Sequence, residues 1–174
     1  ISCTVSRNGD LVSRVYVEAT LPKLVANESS SDSGTADHPL ANGFSWIHNV
    51  GNFLIHEADV EIGGQRIDRH YGEWLHIWNE LSGSESHQAG YNRMIGNVPE
   101  LLSHKGPTTD TKAGLKEVNA VRKIMNSYKL MVPLQFWFCR SPGLALPLIA
   151  LQYHEVKINI TFESLDKLIR VRRT

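Results

Sequence analysis

The feature that most restricts how this chain can fold is an alternation of apolar and polar side chains, one residue in and one out, that returns along most of its length. Successive side chains on a strand point to opposite faces, so such runs bury one face only when extended in a half-covered sheet. Residues 1 to 7 set Ile1, Cys3 and Val5 against Ser2, Thr4 and Ser6, and Val15, Val17, Ala19 and Leu21 then oppose Arg14, Tyr16, Glu18 and Thr20, up to Pro22. Asn8-Gly9-Asp10 between them predicts a hairpin, because Asn-Gly readily takes positive φ. Phe44, Trp46, His48 and Val50 alternate again, and Leu54, His56, Ala58, Val60 and Ile62 then form a predicted face against Phe53, Ile55, Glu57, Asp59 and Glu61. Gly63-Gly64 supplies a turn into residues 65 to 70. Residues 128 to 138 place Leu130, Val132, Leu134, Phe136 and Phe138 on one side, with Pro133 suited to an edge or bulge. The last run, residues 151 to 162, predicts a strand of unusual length.

The period changes at Tyr71. Trp74, Ile77, Trp78 and Leu81 fall at helical spacing, which predicts an amphipathic helix over residues 72 to 82, stopped by Gly83. Residues 84 to 126 are rich in Gly, Ser, Asn and His, so 71 to 126 reads as a helical and loop excursion of the kind that carries function or interfaces. Residues 27 to 43 have too few apolar side chains to order themselves and predict an exposed loop. About seven strands with long loops between them predict an all-β sandwich rather than an α/β enzyme core. The buried phase of those strands places Val15, Val17, Val60, Ile62, Leu130, Val132, Val156 and Ile158 in the core.

With 174 residues the chain is one domain long and can bury about 70% of its unfolded surface. Its 18 basic and 18 acidic residues cancel, so no overall field draws it to nucleic acid or an anionic membrane. The local excess of Lys167, Arg170, Arg172 and Arg173 has no interleaved aromatic residues and reads as a solvated or linker segment. No apolar run is long enough to span a bilayer, so a soluble protein is expected. Cys3 and Cys139 lie in strand-like runs without metal-ligand spacing and read as two buried thiols in a reducing compartment. The chain starts inside a strand pattern without Met and stops without a natural close, as a piece of a longer protein would.

Among the eight histidines, His70 and His76 are six apart across the strand-to-helix change, with no His-Glu-x-x-His pattern. His56-Glu57 and His154-Glu155 put neighbours on opposite faces of a strand, where neither pair can share a metal. There is no Gly-x-Ser-x-Gly elbow, and neither cysteine starts a helix. Glu57, Asp59 and Glu61 line one strand face and read as a solvated outer face without catalytic partners. Asn27-Glu28-Ser29 and Asn159-Ile160-Thr161 match the glycosylation sequon, the first in a loop and the second in a strand. Trp46, Trp74, Trp78 and Trp137 permit a sugar platform, although packing accounts for Trp74 and Trp78 four apart on one helix face. No catalytic, cofactor-binding or metal-binding residue is assigned.

Three stretches carry a family resemblance. They are Ser6-Arg7-Asn8-Gly9-Asp10-Leu11, then Val60-Glu61-Ile62-Gly63-Gly64-Gln65-Arg66-Ile67-Asp68-Arg69-His70-Tyr71, and then residues 142 to 156 from Pro142-Gly143-Leu144-Ala145-Leu146-Pro147 to His154-Glu155-Val156. In this order the chain resembles the first jelly roll of the double jelly-roll major capsid proteins of large double-stranded DNA viruses, closest to the algal-virus and giant-virus branch. The resemblance implies an N-terminal jelly roll over residues 1 to 174 that lacks its first strand, with a second jelly roll outside this chain. It implies homotrimers with a pseudo-hexagonal outline that build an icosahedral shell, contacts with neighbouring capsomers and minor capsid proteins, and no cofactor or direct nucleic-acid contact. It places the protein in the virion shell, assembled in the host cytoplasm, without membrane insertion but with room for an internal membrane beneath. Pro142 and Pro147 fit such a role, since fixed backbone angles make a strand entry reproducible from copy to copy. The alternative is a carbohydrate-binding jelly-roll module.

Overall fold

The structure, a computed structural model, describes residues 1–25, 44–103 and 124–171. It is built mostly of strands, in sheets that do not close into a barrel. One layer is a four-stranded antiparallel sheet of β1 (Ser2–Thr4), β11 (Val156–Phe162), β6 (Ile55–Ile62) and β7 (Gln65–Tyr71), in the order β1-β11-β6-β7. The other is carried by β3 (Tyr16–Leu21) paired with β9 (Tyr128–Pro133), and by β4 (Leu24–Val25) paired with β8 (Ile124–Met125). Two further short pairs tie the ends: β2 (Leu11–Val12) with β10 (Leu146–Pro147), and β5 (Phe44–Trp46) with β12 (Ile169–Val171).

One continuous core joins the layers. Ala58, Val60, Val156 and Ile158 from the four-stranded sheet meet Val17, Leu21, Leu130 and Val132, with Trp46, Ile55, Phe136 and Phe138 filling the space around them. Each such side chain contributes about 1.5 to 3 kcal/mol when fully buried. Of the eight core positions read from the alternation, Val17, Val60, Leu130, Val132, Val156 and Ile158 are buried, while Val15 and Ile62 are half-buried against the same cluster. Ile55 shares the buried side with Ala58 despite the odd spacing, because the β6–β11 register slips where Thr161 faces Glu57 and Phe162 faces Ile55. His56 is the extra residue of this bulge and points outward.

Several local expectations give way to tertiary packing. Asn8-Gly9 does not close a hairpin: β1 pairs with β11, β3 pairs with β9, and Gly9 is not among the glycines at positive φ. A row of long-range strand partners outweighs one favourable turn. The predicted strand through residue 54 is interrupted by α1 (Val50–Leu54), entered through Asn49 at φ 52°. There Gly51 donates its N–H to Ile95 O at 2.8 Å, and a Cβ on Gly51 would lie 2.9 Å from the Ile95 backbone. The strand expected over 128 to 138 ends at Pro133 and gives way to a short helix α5 (Trp137–Arg140), although Leu134, Phe136 and Phe138 keep their buried phase. The strand expected from residue 151 starts only at Val156, after a 3₁₀ turn at Ile149–Leu151.

The helix expected over 72 to 82 forms as α2 (Gly72–Ser82), and Gly83 N–H closes it on Asn79 O at 2.8 Å. Its buried side, however, is Gly72 and Leu75, and the stripe Trp74, Ile77, Trp78, Leu81 lies outside it. The excursion that follows contains helices α3 (Glu85–Met94) and α4 (Pro99–Leu102). Its residues 104–123, the Ser-rich loop and Arg172 and Arg173 lie outside the described residues. Cys3, expected to be buried, is exposed, because β1 is an edge strand; Cys139 is half-buried, and burial pushes its thiol pKa up.

Candidate functional site

The carboxylates of the second long strand run lie within the described residues. Glu57, Asp59 and Glu61 stand on the outer face of β6, and the structure supplies partners that the sequence did not reveal. Arg69 on β7 reaches Glu57 at 2.8 Å, and Asn159 on β11 donates to Asp59 at 2.9 Å and to Glu61 at 3.4 Å. Ser2 on β1 donates to the Asn159 side-chain oxygen at 2.6 Å. The result is a polar ladder across all four strands, in which one guanidinium pairs with Glu57 and a neutral amide hydrogen-bonds Asp59 and Glu61. It also occupies the side chain of the Asn159 sequon, whereas the Asn27 sequon lies outside the described residues.

The histidines are dispersed. His56 and Lys167 contact Glu163 at 3.1 and 3.0 Å. The Ser164 N–H, with Lys167 and His56 adding to it, holds the Glu163 pKa down to about 2. His56 and Glu163 border a half-open cleft of about 250 Å³ with Phe53 and Tyr71. His76 lies 3.8 Å from Glu80, and His154 sits at the turn before β11. His70 is buried on β7 against the Phe136 ring, 4.4 Å between centroids, and neither ring nitrogen has a hydrogen-bond partner. Among the described residues no three His, Cys, Asp or Glu side chains are grouped to hold a metal ion.

The tryptophans do not form a sugar platform. Trp46 is buried, Trp137 packs edge-on against Phe138, and the Trp74 and Trp78 rings are tilted by 40° with Arg140 lying over them.

What the fold does bring together is the three stretches that carried the resemblance. Arg7 donates to the carbonyls of Leu151 at 3.2 Å and His154 at 3.0 Å, and Leu148 N–H donates to Asp10 O at 2.9 Å. Leu11 pairs with Pro147. Gly63 N–H donates to Glu155 O at 2.9 Å, and a Cβ on Gly63 would lie 2.7 Å from His154 Nδ1. Gly63 and Gly64 have φ of 60° and 84°, the two positive values of a tight hairpin turn, and they close β6 onto β7. The segments separated by up to 150 residues thus lock one another into a corner by backbone hydrogen bonds. From it project Leu11, Leu144, Ile149 and Tyr153, the last 94% exposed. A fixed frame that displays apolar side chains can make repeated contacts.

Comparison with known proteins gives the family. A family model described as the N-terminus of the major capsid protein matches residues 1–174. The chain belongs to the major capsid protein family. Among family members, the major capsid protein of Phaeocystis pouchetii virus is 44% identical over 177 residues, covering 97% of this chain and 32% of that protein. That of Paramecium bursaria Chlorella virus 1 is 35% identical, covering 94% and 29%. A chain from the quasi-atomic model of the PBCV-1 virus capsid superimposes with a TM-score of 0.65 at 32% identity, over 94% of this chain and 30% of that one. The Faustovirus major capsid protein shares the fold at a TM-score of 0.59 and 13% identity. The chain spans about a third of the length of the curated relatives it matches. Its architecture, mostly strands with few helices, is the jelly-roll fold of these capsid proteins.

Proposed function

We propose that residues 1 to 174 are the N-terminal jelly roll of a viral major capsid protein, a structural and non-catalytic building element of an icosahedral shell. The observation that carries this reading is the 44% identity to a major capsid protein across 97% of the chain. The aligned stretch takes in core, turns and corner alike. In this reading the whole protein carries a second jelly roll and associates as a homotrimer whose six barrels give a hexagonal outline. Its partners are neighbouring capsomers and minor capsid proteins, and its place is the virion shell, assembled in the host cytoplasm above any internal membrane. The carboxylates Glu57, Asp59 and Glu61 hold the sheet together rather than transfer protons.

The test is to express the full-length protein and examine it by sedimentation and negative-stain microscopy. A trimer with a hexagonal outline is expected. A stable monomer that turns over a substrate or retains a defined glycan would overturn the proposal.

A further inference from the structure

Helix α2 has two apolar sides; among the described residues one of them enters the core, and on the other Trp74 and Trp78 are only half-buried. Gly72 and Leu75 face the core. Trp74, Ile77, Trp78 and Leu81 recur every three or four residues, which puts them within roughly 100° of arc on a second side. There Ile77 is 48% and Leu81 80% exposed. The Trp74 and Trp78 rings lie 5.7 Å apart, and the Arg140 guanidinium sits 4.6 Å from the Trp78 centroid and 5.8 Å from that of Trp74. Tryptophan and arginine are the side chains that concentrate at the centres of protein interfaces. The three-and-four spacing is what one helix needs to lie along another.

Charge identifies the occupant. At 100° per residue Glu73 and Glu80 lie on the flank of the stripe beyond Ile77, whereas Arg140 covers the side of Trp78 and Trp74. One flank is therefore acidic and the other basic. A two-fold axis running along α2 would set the stripe of one copy against the same stripe of another, helices parallel, and turn each acidic flank toward the other copy's Arg140. Antiparallel pairing would put acidic flank against acidic flank. A contact of the first kind is closed and self-complementary, as a symmetric interface requires.

We propose that the outer face of α2, with Arg140, is a contact between two copies of this chain packed with their α2 helices parallel. The proposal rests on the shell reading, in which each copy meets others of its kind.

The experiment uses the full-length protein as wild type, as Arg140→Glu, and as the double variant Glu73→Arg/Glu80→Arg, with association of the trimers into larger species, which a two-fold contact would join, measured by sedimentation velocity. Each variant alone is expected to associate at least about tenfold more weakly, since like charges then face one another. An equimolar mixture of the two variants is expected to regain the wild-type affinity, because a mixed pair has opposite charges at both contacts. Leu81→Asp, at a position exposed enough to leave the fold intact, is expected to weaken association with a wild-type melting temperature. Variants that associate like wild type, or a loss that mixing does not restore, would overturn the parallel self-contact. Wild-type trimers that associate no further would also overturn it, whereas a wild-type protein that forms no trimer would instead remove the shell reading on which the proposal rests.

Discussion

Gly72 and Gly64 lack a side chain for different reasons, and the difference is measurable. A Cβ on Gly72 would lie 2.2 Å from Asn52 O and 2.6 Å from Ile55 O, backbone atoms that cannot step aside. A Cβ on Gly64 would meet only Glu61 Oε1, at an ordinary contact distance of 4.0 Å, but its φ of 84° costs an L-residue roughly 1 to 2 kcal/mol. Urea unfolding should therefore show Gly64→Ala destabilised by about that amount, and Gly72→Ala by about 3 kcal/mol or more through overpacking. His70 makes a second prediction at this scale. It is 5% exposed, and burial lowers its pKa to about 4, with the Asp68 carboxylate pulling it partway back and Arg140 pushing it down. Its folded pKa is thus below the ordinary 6.5, so between those values the unfolded chain binds more protons than the folded one. Stability is full above pH 6.5 and falls as pH drops toward 4, by roughly 3 kcal/mol in all. Melting curves at pH 7.5, 6, 5 and 4 should show that decline. His70→Leu should flatten it, and an unchanged slope in the variant would assign the effect elsewhere.

Among the elements, α2 shows how a pattern can be right about type and silent about direction. The three-and-four spacing of Trp74, Ile77, Trp78 and Leu81 correctly signals a helix, yet the side that enters the core is marked by Leu75 and Gly72. Periodicity reports that an apolar face exists; which neighbour it meets depends on where α1 and β6 stand. Leu75→Ala should cost about 2 to 5 kcal/mol by leaving a cavity, whereas Leu81→Ala should change stability by no more than about 0.5 kcal/mol. Chemical denaturation of the two variants side by side checks the assignment of faces. The first strand teaches the same lesson. Residues 1 to 7 alternate and β1 does form, but its partner is β11, with Cys3 opposite Ile158, rather than the run just beyond the Asn-Gly turn.

At the scale of the whole molecule, the layers are joined by pairings between distant parts of the chain: β1 with β11, β5 with β12, β2 with β10. Loops of that length must close before any contact forms, which makes such a topology slow to fold but leaves little freedom once it is complete. The corner of Arg7, Asp10, Gly63, Leu148 and Glu155 is one product of these closures. Its outward residue Tyr153 touches nothing that the fold needs. Tyr153→Ala should leave the melting temperature of the full-length protein unchanged while reducing its assembly into particles, as scored by electron microscopy. Normal particle yield from the variant would show that the corner does not contact a neighbour.

The alternation along the chain by itself determined that this is an all-β sandwich, that Val17, Val60, Leu130, Val132, Val156 and Ile158 are its core, and that Gly63-Gly64 is a tight turn. Each of these follows from constraints spanning a few residues, namely which face a side chain takes and which backbone angles it tolerates. The motifs also carried the family. Only the tertiary structure decided that Asn159 joins Asp59 and Glu61 into a ladder, that His70 is buried without a partner, that Cys3 is exposed, and that the α2 stripe turns away from the core. Those outcomes depend on which distant strand or helix lies alongside, and strand partners are chosen by the burial of the whole sandwich rather than by the residues next to them in the chain.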